Sequence, residues 1–220
     1  MQVFLAGASR GAGREIAKRL VIAGHQVVAL LRSEQAKADL EALGITVVLG
    51  DALDAPAMQQ IMSEHSPDTA ISTIGGLPSD GGTRADFAGN KNLIDAAVAA
   101  QAKYFILISS IGSGESAQAL PPQALETLGA VLKEKEQAEA YLVDSGLAYT
   151  IIRPGGLVSQ PATGEEVLTE DASVAGSISR TGLARLTVKC LESDRAKNKI
   201  LSAIDTSMQR SSQPFETFEP

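Results

Sequence analysis

One short segment, Gly7-Ala8-Ser9-Arg10-Gly11-Ala12-Gly13, constrains this chain more than any other. It follows the apolar run 3–6 directly and opens a stretch of helical period from residue 13. A strand that turns into a helix through glycines lets backbone approach a phosphate. The helix start adds free N–H groups and a partial positive charge. Glycine spacing alone also fits an ordinary loop. At the head of a βαβ unit, however, it predicts a pyrophosphate cradle formed by Gly7, Ser9, Arg10, Gly11, Ala12 and Gly13.

The rest of the chain keeps the same alternation. Short β-rich apolar runs at 26–31, 46–49, 69–73, 104–108, 149–152 and 199–203 are separated by helical segments near 13–23, 34–43, 56–64, 84–100, 123–145 and 180–193. Ile94 and Val98, and Leu183, Leu186 and Cys190, recur at helical spacing, while Gly24 and Gly44 suit helix ends. The pattern predicts an α/β fold: a doubly wound parallel sheet (Rossmann fold) of about seven strands with helices on both faces. Nothing reads as an interdomain linker, so residues 1–208 are expected to form one domain. Pro121-Pro122 looks like the entry to the long fifth helix. The polar, Gly-interrupted stretch 157–176 is the candidate for substrate-facing loops, and 209–220 reads as a disordered tail.

Composition removes several function classes. The 220 residues, 44% hydrophobic and 20% charged, supply one packed core and exclude a disordered chain. Nineteen Lys and Arg against 26 Asp and Glu give a net charge of −7, which argues against nucleic acid as the main ligand. With no Trp, three Tyr and five Phe, a stacking surface for single strands is not expected either. No apolar run approaches the roughly 18 residues of a membrane span. The opening MQVFLAGASRG lacks a basic stretch and a cleavage site, and reads as a first strand. A single cysteine, Cys190, excludes an internal disulfide, and two distant histidines, His25 and His65, exclude the usual zinc sets. A cytoplasmic protein, or one of an organelle stroma, is the expectation.

The second strand addresses which dinucleotide the loop would hold. An NAD site usually carries an acid at that strand's end, about 20 residues past the glycines, for the ribose hydroxyls. Here the run is Leu30-Leu31-Arg32-Ser33, with no acid before Glu34. A guanidinium suits a 2′-phosphate, since its planar fork can donate two hydrogen bonds, and Arg10 could close on the same group. Two solvated surface arginines are the plainer alternative. The expected cofactor is NADP. Asp51, followed by Ala52, is placed to accept from an adenine amino group or simply to cap a loop. Thr73-Ile74-Gly75-Gly76 would let backbone approach a ribose, or form an ordinary turn.

With the glycine loop, Arg32, Gly50-Asp51, Ser109-Ser110 and Arg153-Pro154-Gly155-Gly156 in view, the chain resembles the atypical short-chain dehydrogenases/reductases. The likeness is to their compact NAD(P)H-binding group, which takes in biliverdin-IXβ/flavin reductases and NmrA-like and Tic62-like proteins. The resemblance runs over residues 1–205. It includes Asn90-Lys91-Asn92-Leu93, Phe105-Ile106-Leu107-Ile108-Ser109-Ser110, Lys135 with Glu139 ahead of Ser145-Gly146-Leu147, Pro161-Ala162-Thr163-Gly164 and Ile178-Ser179-Arg180. One departure stands out. The compact group usually has G-x-x-G-x-x-G, whereas this loop has the spacing of the main dehydrogenase branch, where an arginine at the Arg10 place goes with NADPH.

The resemblance also implies chemistry. The main branch uses Tyr-x-x-x-Lys, a phenol that donates a proton beside a lysine that binds the nicotinamide ribose. Lys135 matches the lysine, but Val131 stands where the phenol would be, and Tyr104, Tyr141 and Tyr149 have no lysine four residues on. A standard carbonyl reductase is therefore not expected. Lys135 shares an apolar stripe with Val131, Ala138 and Leu142, and so needs a partner such as ribose hydroxyls, or a route to solvent. Ser109 is expected at the cofactor. Ser110 matches the family's active-site serine, or is a strand-end serine bonded to backbone. Pro154-Gly155-Gly156-Leu157 would pack beside the nicotinamide, or form a turn. Met58, Met62, Met208 and Cys190 read as packing residues.

Three functions follow from these residues. The leading one is an NADPH-dependent reductase passing a hydride to a flat conjugated acceptor (flavin, bilin or quinone), which takes its proton from water and needs no protein phenol. The second is an NADPH-binding regulatory or assembly protein with a protein partner. The third acts on a carbonyl through Ser110 and Lys135.

Overall fold

The computed structural model describes residues 1–76, 84–210 and 213–220. Strands β1 (Gln2–Ala6), β2 (Gln26–Leu31), β3 (Thr46–Leu49), β4 (Thr69–Ser72), β5 (Tyr104–Ile108), β6 (Ala148–Pro154) and β10 (Lys199–Asp205) lie where the apolar runs predict them. The helices are α1 (Gly11–Ile22), α2 (Lys37–Glu41), α3 (Ala55–His65), α4 (Ala88–Ala99), α5 (Pro122–Asp144) and α6 (Arg180–Leu191). Among the described residues, the main sheet has eight strands in the order β3-β2-β1-β4-β5-β6-β10-β8, where β8 is Glu166–Thr169. All its pairs are parallel except β10–β8. The order reverses between β1 and β4, and in such sheets a crevice opens there beyond the strand carboxyl ends.

Strand alternation explains the two-sided core. In β1, Val3 and Leu5 pack with Ile16 and Leu20 of α1 and Leu183 and Leu186 of α6. Phe4 and Ala6, pointing the other way, pack with Met58 and Met62 of α3 and Leu93 and Ile94 of α4. Local signals set the helix starts. Asp54 accepts from the Ala57 N–H at 3.1 Å with Pro56 in the first turn of α3, and Ser179 accepts from the Gly182 N–H at 2.9 Å to cap α6. Pro122 opens α5 as expected. The helix expected over 34–43 is split into a 3₁₀ turn, Glu34–Ala36, and the short α2.

Two regions differ from the sequence reading. Residues 157–176 are not wholly loop: they hold β8 and most of β7 (Gly156–Val158), which pairs in parallel with β9 (Ser177–Ser179) as a separate two-stranded sheet. Both pairings are non-local and three or four residues long, too short for periodicity to reveal. The tail expected to be disordered is instead held by hydrogen bonds among its described residues, with its end against β8. The Phe218 N–H donates to Leu168 O at 2.7 Å, Thr169 Oγ1 donates to Glu216 O at 2.7 Å, and the Arg210 N–H donates to Ala175 O. β8 is the last strand of the sheet, and the tail covers its outer edge through the Leu168–Phe218 bridge. Among the described residues, no helix is long and apolar enough to cross a membrane.

Cys190 lies fully buried in the α6 stripe, and burial pushes its thiol up to about 12. A thiol kept protonated and shielded is inert. Native protein at pH 8 should therefore react with a thiol reagent many times more slowly than protein in urea. Equal rates would show that α6 does not cover the sulfur.

Candidate functional site

The crevice is built on the turn after β1. Gly7 and Gly11 take φ of +95° and +60°, the positive range that glycine enters at no steric cost. Gly13 matters through space rather than dihedral: a Cβ there would stand 2.1 Å from Gly7 O and 2.6 Å from Thr73 Oγ1. The first turn of α1 thus rests directly on the end of β1. Thr73 Oγ1 lies 3.1 Å from Ala6 O and 3.2 Å from Gly7 O, and the Thr73 N–H donates to Ala6 O at 3.0 Å, so hydroxyl and amide together tie the loop to the end of β4. The loop is a tight glycine turn that opens directly onto a helix start.

Ser9 and Arg10 are exposed, and Ala12 is half-buried. Arg10 occupies the N-cap of α1 without using its side chain to cap it. Arg32 is exposed just past β2, which pairs with β1. Among the described residues neither arginine has an ion pair, whereas Arg14, further along α1, is held by Asp39 at 2.8 Å. Asp51 accepts from the Leu53 N–H at 2.9 Å, the loop-capping alternative, with the rest of the carboxylate exposed. Ala52 is buried, and its carbonyl accepts from Asn92 Nδ2.

At the end of β4 the structure brings in a residue that sequence reading missed. Asp86 is fully buried; its Oδ2 accepts from the Gly76 N–H at 2.8 Å, and its Oδ1 lies 3.2 Å from Lys135 Nζ. The partner that Lys135 needed is therefore a carboxylate 49 positions away, and no local spacing signals it. A Cβ on Gly75 would stand 2.4 Å from Asp86 Oδ1 and 3.1 Å from Lys135 Nζ, so this glycine is what lets the pair reach the strand end. Ile74 is half-buried beside it.

One turn along α5 from Lys135, Glu139 forms a second charged cluster. Its carboxylate takes Arg153 Nη2 at 2.6 Å and Arg153 Nε at 3.2 Å to both oxygens, and it also accepts from Ser109 Oγ. All three residues are buried. The Ser109 hydroxyl is thereby committed inward. Ser110 is half-buried, and its Oγ donates to Ile111 O at 3.0 Å, the strand-end alternative. Val131 is half-buried. Pro154 ends β6, and its carbonyl accepts from the Ile111 N–H at 2.9 Å. Gly155 admits no side chain, since a Cβ would stand 2.3 Å from Gly176 O; Gly156 and Leu157 follow on β7, exposed.

Comparison with known proteins gives this architecture a family. A family model described as NAD(P)H-binding matches residues 7–194. The chain belongs to that NAD(P)H-binding family. Among solved structures, ChuY, an anaerobillin reductase from Escherichia coli O157:H7, superposes with a TM-score of 0.86 at 29% identity, covering 96% of this chain and 100% of that one. The uncharacterised sugar epimerase YhfK of Bacillus subtilis is 32% identical over 90% of this chain and 92% of its own. The chloroplastic protein TIC 62 of rice is 30% identical over 92% of this chain, which spans 46% of that protein's length. The fold is thus an NAD(P)H-binding, reductase-like one, as expected from the atypical short-chain dehydrogenase/reductase resemblance.

Removing one member of a buried ion pair leaves the other uncompensated, at a cost of about 3–5 kcal/mol. Glu139→Ala should lower unfolding free energy by about that much in urea titrations. A loss below about 1 kcal/mol would mean that the Arg153 charge finds water or another partner.

Proposed function

We propose that the protein is an NADPH-dependent reductase of a flat conjugated acceptor such as a flavin, bilin or quinone. The observation that carries this reading is an intact glycine cradle combined with Val131 in the phenol's place. Bound NADPH would supply a hydride. Gly7, Gly11 and Gly13 would present backbone N–H groups to its pyrophosphate, with Ser9, Arg10 and Ala12 around them. Arg32 would hold the 2′-phosphate; Asp51 and Ala52 would border the adenine; Thr73, Ile74 and Gly75 would offer backbone to the ribose. Lys135, held at the strand end by Asp86, and Ser110 would face the reacting end. Pro154, Gly155, Gly156 and Leu157 would leave one face of the nicotinamide open to a ring acceptor.

An aliphatic ketone needs a proton delivered to its oxygen, and a valine cannot donate one. A conjugated ring with solvent-exposed heteroatoms draws its proton from water, so placement is the protein's main contribution. The anaerobillin reductase likeness supports an acceptor of this kind. A second reading, an NADPH-dependent regulatory or assembly role, draws support from the TIC 62 likeness and from the Lys135 amine being paired with Asp86.

The test is NADPH oxidation by pure protein against FMN, a quinone, biliverdin-IXβ and a simple ketone. Turnover with the rings and not the ketone supports the reductase. Tight NADPH binding without oxidation supports the regulatory reading, and ketone turnover supports carbonyl chemistry through Ser110 and Lys135. Arg32→Ala should weaken NADPH by about 1–3 kcal/mol, roughly five- to 150-fold, and leave NADH nearly unchanged. Equal losses for both, read by calorimetry, would overturn the 2′-phosphate assignment. Ser110→Ala should lower turnover at constant NADPH affinity; unchanged turnover would remove it from the reacting end.

A further inference from the structure

A further cation approaches the glycine cradle, from a distant part of the chain. Arg180 opens α6, and its Nε lies 3.8 Å from where a Cβ would stand on Gly11, the first residue of α1. Packing makes the approach possible: α1 and α6 lie together on one face of the sheet, with Ile16, Leu20, Leu183 and Leu186 in one cluster. Two helix starts therefore meet at this point. Ser179 already caps α6 by accepting from the Gly182 N–H, and no side chain caps α1. Gly11 has no side chain to separate the guanidinium from the turn.

The pairing of Arg180 is as informative as its place. Among the described residues its polar partner is the neutral Ser159 hydroxyl, 2.7 Å from Nη1, and it has no carboxylate. Elsewhere the half-buried or buried arginines stand beside acids: Arg14 with Asp39, Arg84 with Asp86 and Glu134, Arg153 with Glu139, and Arg185 with Glu166. In a chain of net charge −7, a half-buried guanidinium at a helix start without an acid retains full attraction for an anion.

We propose that Arg180 binds the cofactor's pyrophosphate, closing the cradle at Gly11. The inference rests on the dinucleotide reading of the cleft. Because Ser159 directly follows β7, the same residue links the phosphate end of the cleft to the segment Gly155-Gly156-Leu157 at its other end.

Calorimetric titration of wild-type, Arg180→Gln, Arg180→Lys and Ser159→Ala proteins with NADPH and with NADH tests this. The pyrophosphate is common to both dinucleotides, so Arg180→Gln should raise both Kd values by about tenfold, in parallel. Arg180→Lys, which keeps the charge and loses the fork, should fall between. Ser159→Ala should bind as wild type does or more tightly, because it removes a competitor for the guanidinium. Wild-type binding unchanged in Arg180→Gln would overturn the proposal, as would a loss confined to NADPH. Equal weakening by Ser159→Ala and Arg180→Gln would also overturn it, since that pattern belongs to an arginine that merely anchors β7. Failure of the wild type to bind either dinucleotide would overturn the cleft reading itself, and this inference with it.

Discussion

The close seating of α1 on the end of β1 is the contact on which the cleft depends. Gly13 meets Gly7 O with no room for a methyl group, and Thr73 Oγ1 braces the same carbonyl from β4. These contacts place the first N–H groups of α1 at the reversal point of the sheet, where β1 and β4 part company with their crossovers. They also bring α1 within reach of α6, so a residue 169 positions from Gly11 comes to face it. Loosening the Gly7–Gly13 approach by one side chain would displace the loop, the helix and the packing partner together.

At the other end of the cleft, α5 plays the organising part. Lys135 and Glu139 are four apart and so share a face, and each reaches a buried opposite charge, Asp86 before α4 and Arg153 on β6. Burying charge is costly, and such pairs contribute little net stability over an apolar substitute. Their geometric consequence is clearer. The Glu139 carboxylate holds Ser109 directly, and Lys135 acts through Asp86, whose carboxylate accepts from the Gly76 N–H, so one face of α5 is tied to both strand ends. The segment that supplies a phenol in the main dehydrogenase branch therefore still positions the strand ends, although Val131 has no proton to give.

Much of the fold was legible because its signals are local. The parallel strands are apolar runs, buried except at the half-exposed edge strand β3, the glycine loop is contiguous, and Pro122 and Gly24 mark helix ends within a turn of where they act. The site was legible to the extent that it lies on that loop and on strand ends: Arg10, Arg32, Asp51 and Gly75 are at the carboxyl ends of their strands because any residue following those runs must be. The burial of the Ser109 hydroxyl against Glu139 was not legible, and neither was the choice of Asp86 over solvent by Lys135.

The amino-acid sequence by itself thus determined the alternation of strands and helices, the cradle and the absence of an acid beside Arg32, since each depends on neighbours within one element. Only the tertiary structure decided that Asp86 partners Lys135, that β8 and the tail pair with segments tens of residues away, and that Arg180 stands over Gly11. The physical reason is the same in all three cases. A buried charge or an open sheet edge takes whichever partner the packing of distant elements delivers, and spacing along the chain carries no record of that delivery.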